Sequence, residues 1–196
     1  MLNRRDCLLM LGAALTLPTM PALARKYDDH EFDEQLQLDG QSLLLNGVGA
    51  RKVSIFTGYV AALYLKSRSE SPEAIYAMAG PKRIEMRMAM GVSVSELTKA
   101  VNKSVSRNSS EAEKAQLATE LPPLLQNFDS VGKVHKKDRI WLDWLPGRGT
   151  QLVVNGKAIG AVVPGEAVYV ALLKTFIGKR VSDDRLKAGL LGAPQP

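Results

Sequence analysis

Apolar and polar positions alternate along the first part of the chain, then shift to helical spacing, then alternate again. Leu36 and Leu38 alternate with glutamines and lead through Gly40-Gln41, read as a turn, to Leu45. That pattern predicts half-buried strands. Asn46-Gly47 is a turn signal. The longest strongly apolar stretch outside the N-terminus follows, from Gly47 to Leu65. It reads as a short hairpin or bent strand and then a long strand, with Gly58 suited to a bulge or a close approach. A short helix begins after Ser71, with Pro72 at its first position, and ends before Gly80-Pro81. The clearest strand alternation places Ile84, Met86, Met88, Met90 and Val92 on one face, with Glu85 and Arg87 on the other.

Two capping-box patterns come next. Ser93 with Glu96 opens a helix carrying Leu97, Val101 and Val105 in one stripe, and Ser110 with Glu113 opens another. Pro122-Pro123 must kink or restart that second helix, because a mid-helix proline removes a hydrogen bond and clashes with the preceding turn. A three-strand meander follows: Ile140 to Leu145, Thr150 to Val154, and Lys157 to Val163, with Asn155-Gly156 as a strong hairpin turn. Trp141 and Trp144 have opposite parity, so at most one of them points inward. The chain ends in helical spacing over Ala167, Val168, Ala171, Leu172 and Phe176. Gly178 is read as a stop and Ser182 as the cap of a last helix containing Leu186, Leu190 and Leu191. Strands, helix, strand, helices, meander and helices in that order make an α+β fold, an antiparallel β-sheet with a layer of helices on one face.

The N-terminus changes the picture of what belongs to this fold. Arg4 and Arg5, the apolar run Cys7 to Leu17, and Ala22-Leu23-Ala24 follow the order of a cleaved secretory signal over residues 1–24. The run is too short for an ordinary membrane-spanning helix. Its arginine pair resembles a twin-arginine signal, with the general secretory route as the alternative. Both routes give a periplasmic protein. Residues 25–34 are polar and acidic and read as a frayed mature N-terminus. Residues 35–192 form the domain and 193–196 a tail. The leader holds the only cysteine, so the mature chain has neither disulfides nor thiol chemistry. It also holds two of the cations and one of the anions, so the net charge of +6 falls to +5 without it. This modest basic balance favours anionic ligands or surfaces in general. The basic residues are dispersed and the expected compartment holds no nucleic acid, so nucleic acid is not an expected partner. The motifs of a metal site or an organic cofactor are absent, and His30 among Asp28, Asp29 and Glu31 has no second histidine near it.

The candidate chemistry centres on Arg51. It follows Gly47-Val48-Gly49-Ala50 and leads an apolar segment that also carries Tyr59 and Tyr64. Two readings stand. Arg51 is a solvated residue at a strand edge, or it anchors an anionic group in an otherwise apolar pocket. Tyr59 and Tyr64 differ in parity, so only one can share a face with Arg51. The methionine face is plain core or an adaptable wall around a flexible ligand. Asn102 lies beside the apolar stripe of its helix.

GVGARKVSIFTGYVAALYL resembles the corresponding run of the chalcone isomerase-like superfamily. The likeness continues in order through SPEAIYAMAGPKRIEMRM, VSVSELTKAVN, KKDRIWLDWLPGRGTQLVVNGKAIGAV and TFIGKRVSDDRLKAGLLG. More narrowly, the chain resembles the short bacterial chalcone isomerase-like domain of exported proteins. The resemblance implies a ligand cleft between the sheet and the helices. In plant isomerases of this superfamily, an arginine matching Arg51 stabilises negative charge as a phenolate oxygen adds to an enone. In non-catalytic members that bind fatty acids, the matching arginine and a tyrosine hold the carboxylate. Tyr59 falls where the isomerases have Thr. The helix matching Val94 to Arg107 lacks their Tyr, and Asn102 is offset from their Asn.

The resulting expectation is an exported protein that binds a small apolar or aromatic anionic ligand. Arg51 and Tyr59 would hold the head, and Tyr64, Met88 and Asn102 would complete the site, without a cofactor. The alternatives are a ring-closing isomerase in which Arg51 and Tyr59 are catalytic, or a structural or partner-binding domain in which Arg51 pairs with a protein carboxylate such as Asp143 or Glu85. Protein partners are left open by the sequence.

Overall fold

The structure, a computed structural model, describes residues 24–193. The predicted leader up to Leu23 and the last three residues lie outside them. The elements in chain order are β1 (Ala24–Tyr27), β2 (His30–Asp33), β3 (Gln35–Leu38), β4 (Gln41–Val53) and β5 (Phe56–Leu65). Then come α1 (Pro72–Ala77), β6 (Lys82–Met88), β7 (Val92–Ser93), α2 (Val94–Asn108), α3 (Glu111–Glu120) and α4 (Pro122–Asp129). Last are β8 (Lys133–Val134), β9 (Arg139–Leu145), β10 (Gly149–Val154), β11 (Lys157–Val163), α5 (Glu166–Ile177) and α6 (Asp184–Leu190). Seven strands make one antiparallel sheet in the order β11-β10-β9-β6-β5-β4-β3. The α+β architecture is the one the order of elements predicts.

Local chemistry explains most boundaries. Ser93 and Ser110 each accept an N–H from the third helical residue while Glu96 and Glu113 reach back, so both capping boxes are closed. Pro122 starts α4 afresh, where a proline costs no helical hydrogen bond. Asn155 and Gly156 both have positive φ and reverse β10 into β11 in two residues.

The sheet has two unlike faces. On one, Ala61, Leu63, Ile84, Met86, Met88, Ile140, Leu142 and Leu152 pack against α2, α4, α5 and α6 in the main core. On the other, Leu43, Leu45, Val48, Ala50, Val60, Ala62 and Tyr64 form a smaller cluster around Phe32. Phe32 belongs to the β1–β2 hairpin and is fully buried. Residues 25–34 are therefore not a frayed end. One aromatic side chain, flanked by charges that remain at the surface, seats the hairpin against the sheet.

The methionine alternation also ends earlier than predicted. β6 stops at Met88, Met90 lies exposed in the following turn, and Val92 begins β7. The two tryptophans separate as parity requires. Trp144 packs in the main core against Tyr169, and Trp141 lies on the opposite face.

α6 lies directly on β4. A Cβ on Gly47 would collide with the Gly189 carbonyl, and one on Gly49 with the backbone of Leu186. The two glycines let helix and strand backbones meet, which places the start of α6 beside Arg51.

Candidate functional site

Arg51 and Tyr59 face each other across the β4–β5 ladder, and Tyr59 is in turn paired with Met88 on β6. Three of the five predicted site residues thus form one row across three strands, on the helical face. Directly paired side chains of a sheet lie on the same side of it and within reach of one another. Tyr59 packs against the main core, and Met88 belongs to it. Burial pushes the Tyr59 phenol up to about 12, Arg51 opposing the shift and Asp183 adding to it. The phenol therefore stays protonated near neutrality and can donate to an anion.

The partner of Arg51 is Asp183. Arg51 Nη1 lies 3.5 Å from Asp183 Oδ2 and also donates to the Lys52 carbonyl at 2.6 Å. Neither Asp143 nor Glu85 fills this role, because each is engaged by other arginines on the opposite face. Asp183 rather than Ser182 is the N-cap of α6, accepting from the amides of Arg185 at 3.1 Å and Leu186 at 3.3 Å. Its second oxygen accepts the Lys52 amide at 3.0 Å. Burial alone would raise the Asp183 carboxyl. The three amide donors and the Arg51 charge outweigh it and hold the group below its usual range. The spot beside Arg51 is thus a working carboxylate seat, filled by a side chain of the protein itself.

Sequence reasoning missed Asp183. Ser182, Asp183 and Asp184 are all acceptable caps, and local preference does not separate them. The signal that separates them is tertiary: only a cap that faces Arg51 gains an ion pair.

The other two predicted site residues lie elsewhere. Tyr64 is on the opposite face of the sheet, buried in the smaller cluster with Phe32, so it cannot share a pocket with Arg51. Asn102 is exposed on α2, in a shallow groove between α2, α3 and α4 with Val105, Leu117 and Leu121. Neither Arg51 nor Tyr59 lines any of the three main clefts. One, of about 520 Å³, lies among Tyr76, Arg107, Lys174, Arg180 and Lys187. Two of its cations serve a helix end and a neighbour: Lys187 donates to the Gly178 carbonyl at the end of α5, and Lys174 pairs with Glu113. Another, of about 530 Å³, lies at one end of the sheet among His30, Thr57, Arg87 and Lys137. Among the described residues, no group of three or more His, Cys, Asp or Glu side chains is placed to hold a metal ion.

The face opposite Arg51 carries a second arginine–aspartate pair. Arg83 grips Asp143 through two parallel hydrogen bonds of 2.6 and 2.7 Å. Its guanidinium lies 4.3 Å from the Trp141 ring centre. Beside it, Glu85 accepts from Arg87 at 2.9 Å and Arg139 at 3.2 Å, and Arg87 covers Phe32 at 4.2 Å. Burial pushes the Asp143 carboxyl up in spite of Arg83.

A family model described as chalcone isomerase-like matches residues 24–192. Among solved structures, a fatty-acid binding protein of Arabidopsis thaliana is similar in fold, with a TM-score of 0.63. The identity is 17%, and the match covers 87% of this chain and 96% of the plant protein. No curated protein sequence matches the chain.

Proposed function

Because the chain belongs to the chalcone isomerase-like family, we propose that it is a binding protein for a small apolar molecule with a carboxylate or similar anionic head. Arg51 and Tyr59 hold the head, and Met88 forms part of the wall behind it. The observation that carries this reading is the Asp183 carboxylate on Arg51, 3.5 Å away and in line with Tyr59 and Met88. A seat that accepts a tethered carboxylate has the charge and donors to accept a free one. In this reading Asp183 is a placeholder, and a fatty-acid-like ligand displaces it as the start of α6 moves off β4. The leader read from the sequence over residues 1–24 supports a periplasmic setting for this activity.

A second reading has a specific observation in its favour: neither Arg51 nor Tyr59 lines a main cleft. In it, the Arg51–Asp183 pair is a permanent fastening of α6, and the domain serves as structure. One experiment separates the two. Native mass spectrometry of the chain purified from the periplasm, followed by organic extraction, should find a co-purifying fatty acid or similar anion that Arg51→Ala loses. An empty protein that also fails to take up added long-chain fatty acid would leave the structural reading in place. Ring closure by Arg51 makes a different demand, namely loss of enone absorbance on mixing with a chalcone.

A further inference from the structure

All four large apolar side chains that stand exposed among the described residues lie at one end of the sheet. Val53 is 50% exposed, Ile55 82%, Phe56 64% and Met90 40%. Val53 and Phe56 are cross-strand partners that flank the Ser54-Ile55 reversal between β4 and β5, where Ser54 takes a φ of 55°. Met90 sits beside them, its N–H donating to the Gly58 carbonyl at 3.3 Å. The patch is therefore a protruding knob rather than a groove. It offers roughly a few hundred Å² of apolar surface, well short of the about 800 Å² per partner that a stable protein interface buries.

The charges around the knob favour one kind of partner. Lys52 lies at its base, donating to Thr57 at 2.8 Å. Lys136 and Lys137 are in the adjoining loop, where the Lys137 amide donates to the Met88 carbonyl at 2.7 Å. Arg139 and Lys157 start the next strands at this same end, joined through the Asn155 turn. Four carboxylates face these cations, and one of them, Glu85, accepts from Arg139 at 3.2 Å. Asp28 and Asp29 share the adjoining cleft with Lys136 and Lys137, and Asp138 is taken up by the His135 amide and Asn155. At the start of α6, Arg185 lies 3.9 Å from Asp183, and Asp184 adds one more carboxylate in the first turn.

We propose that this knob docks the protein onto a bilayer containing anionic phospholipids, with Ile55 and Phe56 entering the headgroup region and the surrounding lysines meeting lipid phosphates. An apolar tip ringed by lysines is the pattern of interfacial anchoring, in which apolar burial and attraction to anionic lipid add. The proposal goes beyond ligand binding and does not depend on it.

The test is binding to phosphatidylglycerol/phosphatidylethanolamine vesicles, with pure phosphatidylcholine vesicles as the neutral control. The wild-type chain should sediment with the anionic vesicles, and Ile55→Ser with Phe56→Ser should weaken this by at least about tenfold. Lys136→Glu with Lys137→Glu should remove the preference for anionic lipid. In a Phe56→Trp chain, with the wild-type signal subtracted, emission should shift to the blue on vesicle addition and be quenched by brominated lipid. Arg51→Ala should leave all of this unchanged, which keeps the outcome separate from that of the ligand-binding reading. An unshifted Phe56→Trp signal overturns the proposal. A dimer in lipid-free solution that the serine pair abolishes also overturns it and assigns the knob to a second copy.

Discussion

Two arginine–aspartate pairs sit on opposite faces of one sheet. Arg83 and Asp143 make two short parallel bonds with both side chains largely buried, on adjacent strands in direct register. Arg51 and Asp183 touch through one 3.5 Å contact between a strand and the cap of the last helix, and the Arg51 side chain is 27% exposed. In the first pair each charge depends on the other, because no comparable donor replaces the partner. In the second, Asp183 keeps the two amides of its own helix when α6 and β4 part, and Arg51 keeps a carbonyl and access to water. The contrast separates a fixture from an exchangeable contact. Chemical identity of the residues does not make a binding site. What matters is how well each partner fares when the contact opens.

The comparison can be broken at its strongest point first. Arg83→Ala strands a buried carboxylate and should cost about 3–5 kcal/mol of stability in urea unfolding. Arg83→Met with Asp143→Leu removes both charges and should recover most of that loss. An Arg83→Ala chain as stable as wild type would show that the fixture is not one. Arg51→Ala should cost about 1 kcal/mol of stability or less, because the pair is loose and partly solvated. It should lower affinity for a long-chain fatty acid by about 2 kcal/mol, read by titration calorimetry. Equal affinities would move the ligand away from Arg51.

Asp183→Asn sharpens the comparison further. Asparagine caps helices about as well as aspartate, so stability should change by less than about 1 kcal/mol. Removing the competing carboxylate should raise affinity several-fold if Asp183 is a placeholder. A lower affinity would make Asp183 part of the site. The smallest effect is on pH dependence. The Asp183 carboxyl lies below its usual range when folded, so its contribution is present above the unfolded value of about 3.9. It is lost as pH falls through the folded value. Asp183→Asn should flatten that part of the acid limb of the stability profile, whereas a limb of unchanged slope would remove Asp183 from it.

Features coded by neighbouring residues were legible in the sequence. Both capping boxes, the restart at Pro122 and the Asn155-Gly156 turn depend on groups a few residues apart. The row of Arg51, Tyr59 and Met88 was half legible. Parity correctly split Tyr59 from Tyr64, but only the register shows that Arg51 faces Tyr59. Phe32 was missed because one buried aromatic among charges has no period to detect. Asp183 was missed because its partner lies 132 positions earlier, beyond any local rule.

The glycines that bring α6 against β4 also set the order of events in folding. Asn46, buried at the same seam, donates to the Leu190 carbonyl at 2.7 Å across 144 positions and exchanges hydrogen bonds with Ser69. One of the earliest strands to be synthesised is thus completed by one of the last segments. Contacts of such separation carry a large loop-closure cost and slow folding. During synthesis the Gly47–Gly49 track of β4 must wait without its cover, and a chain that stopped before residue 184 would leave that backbone open to other strands or to chaperones.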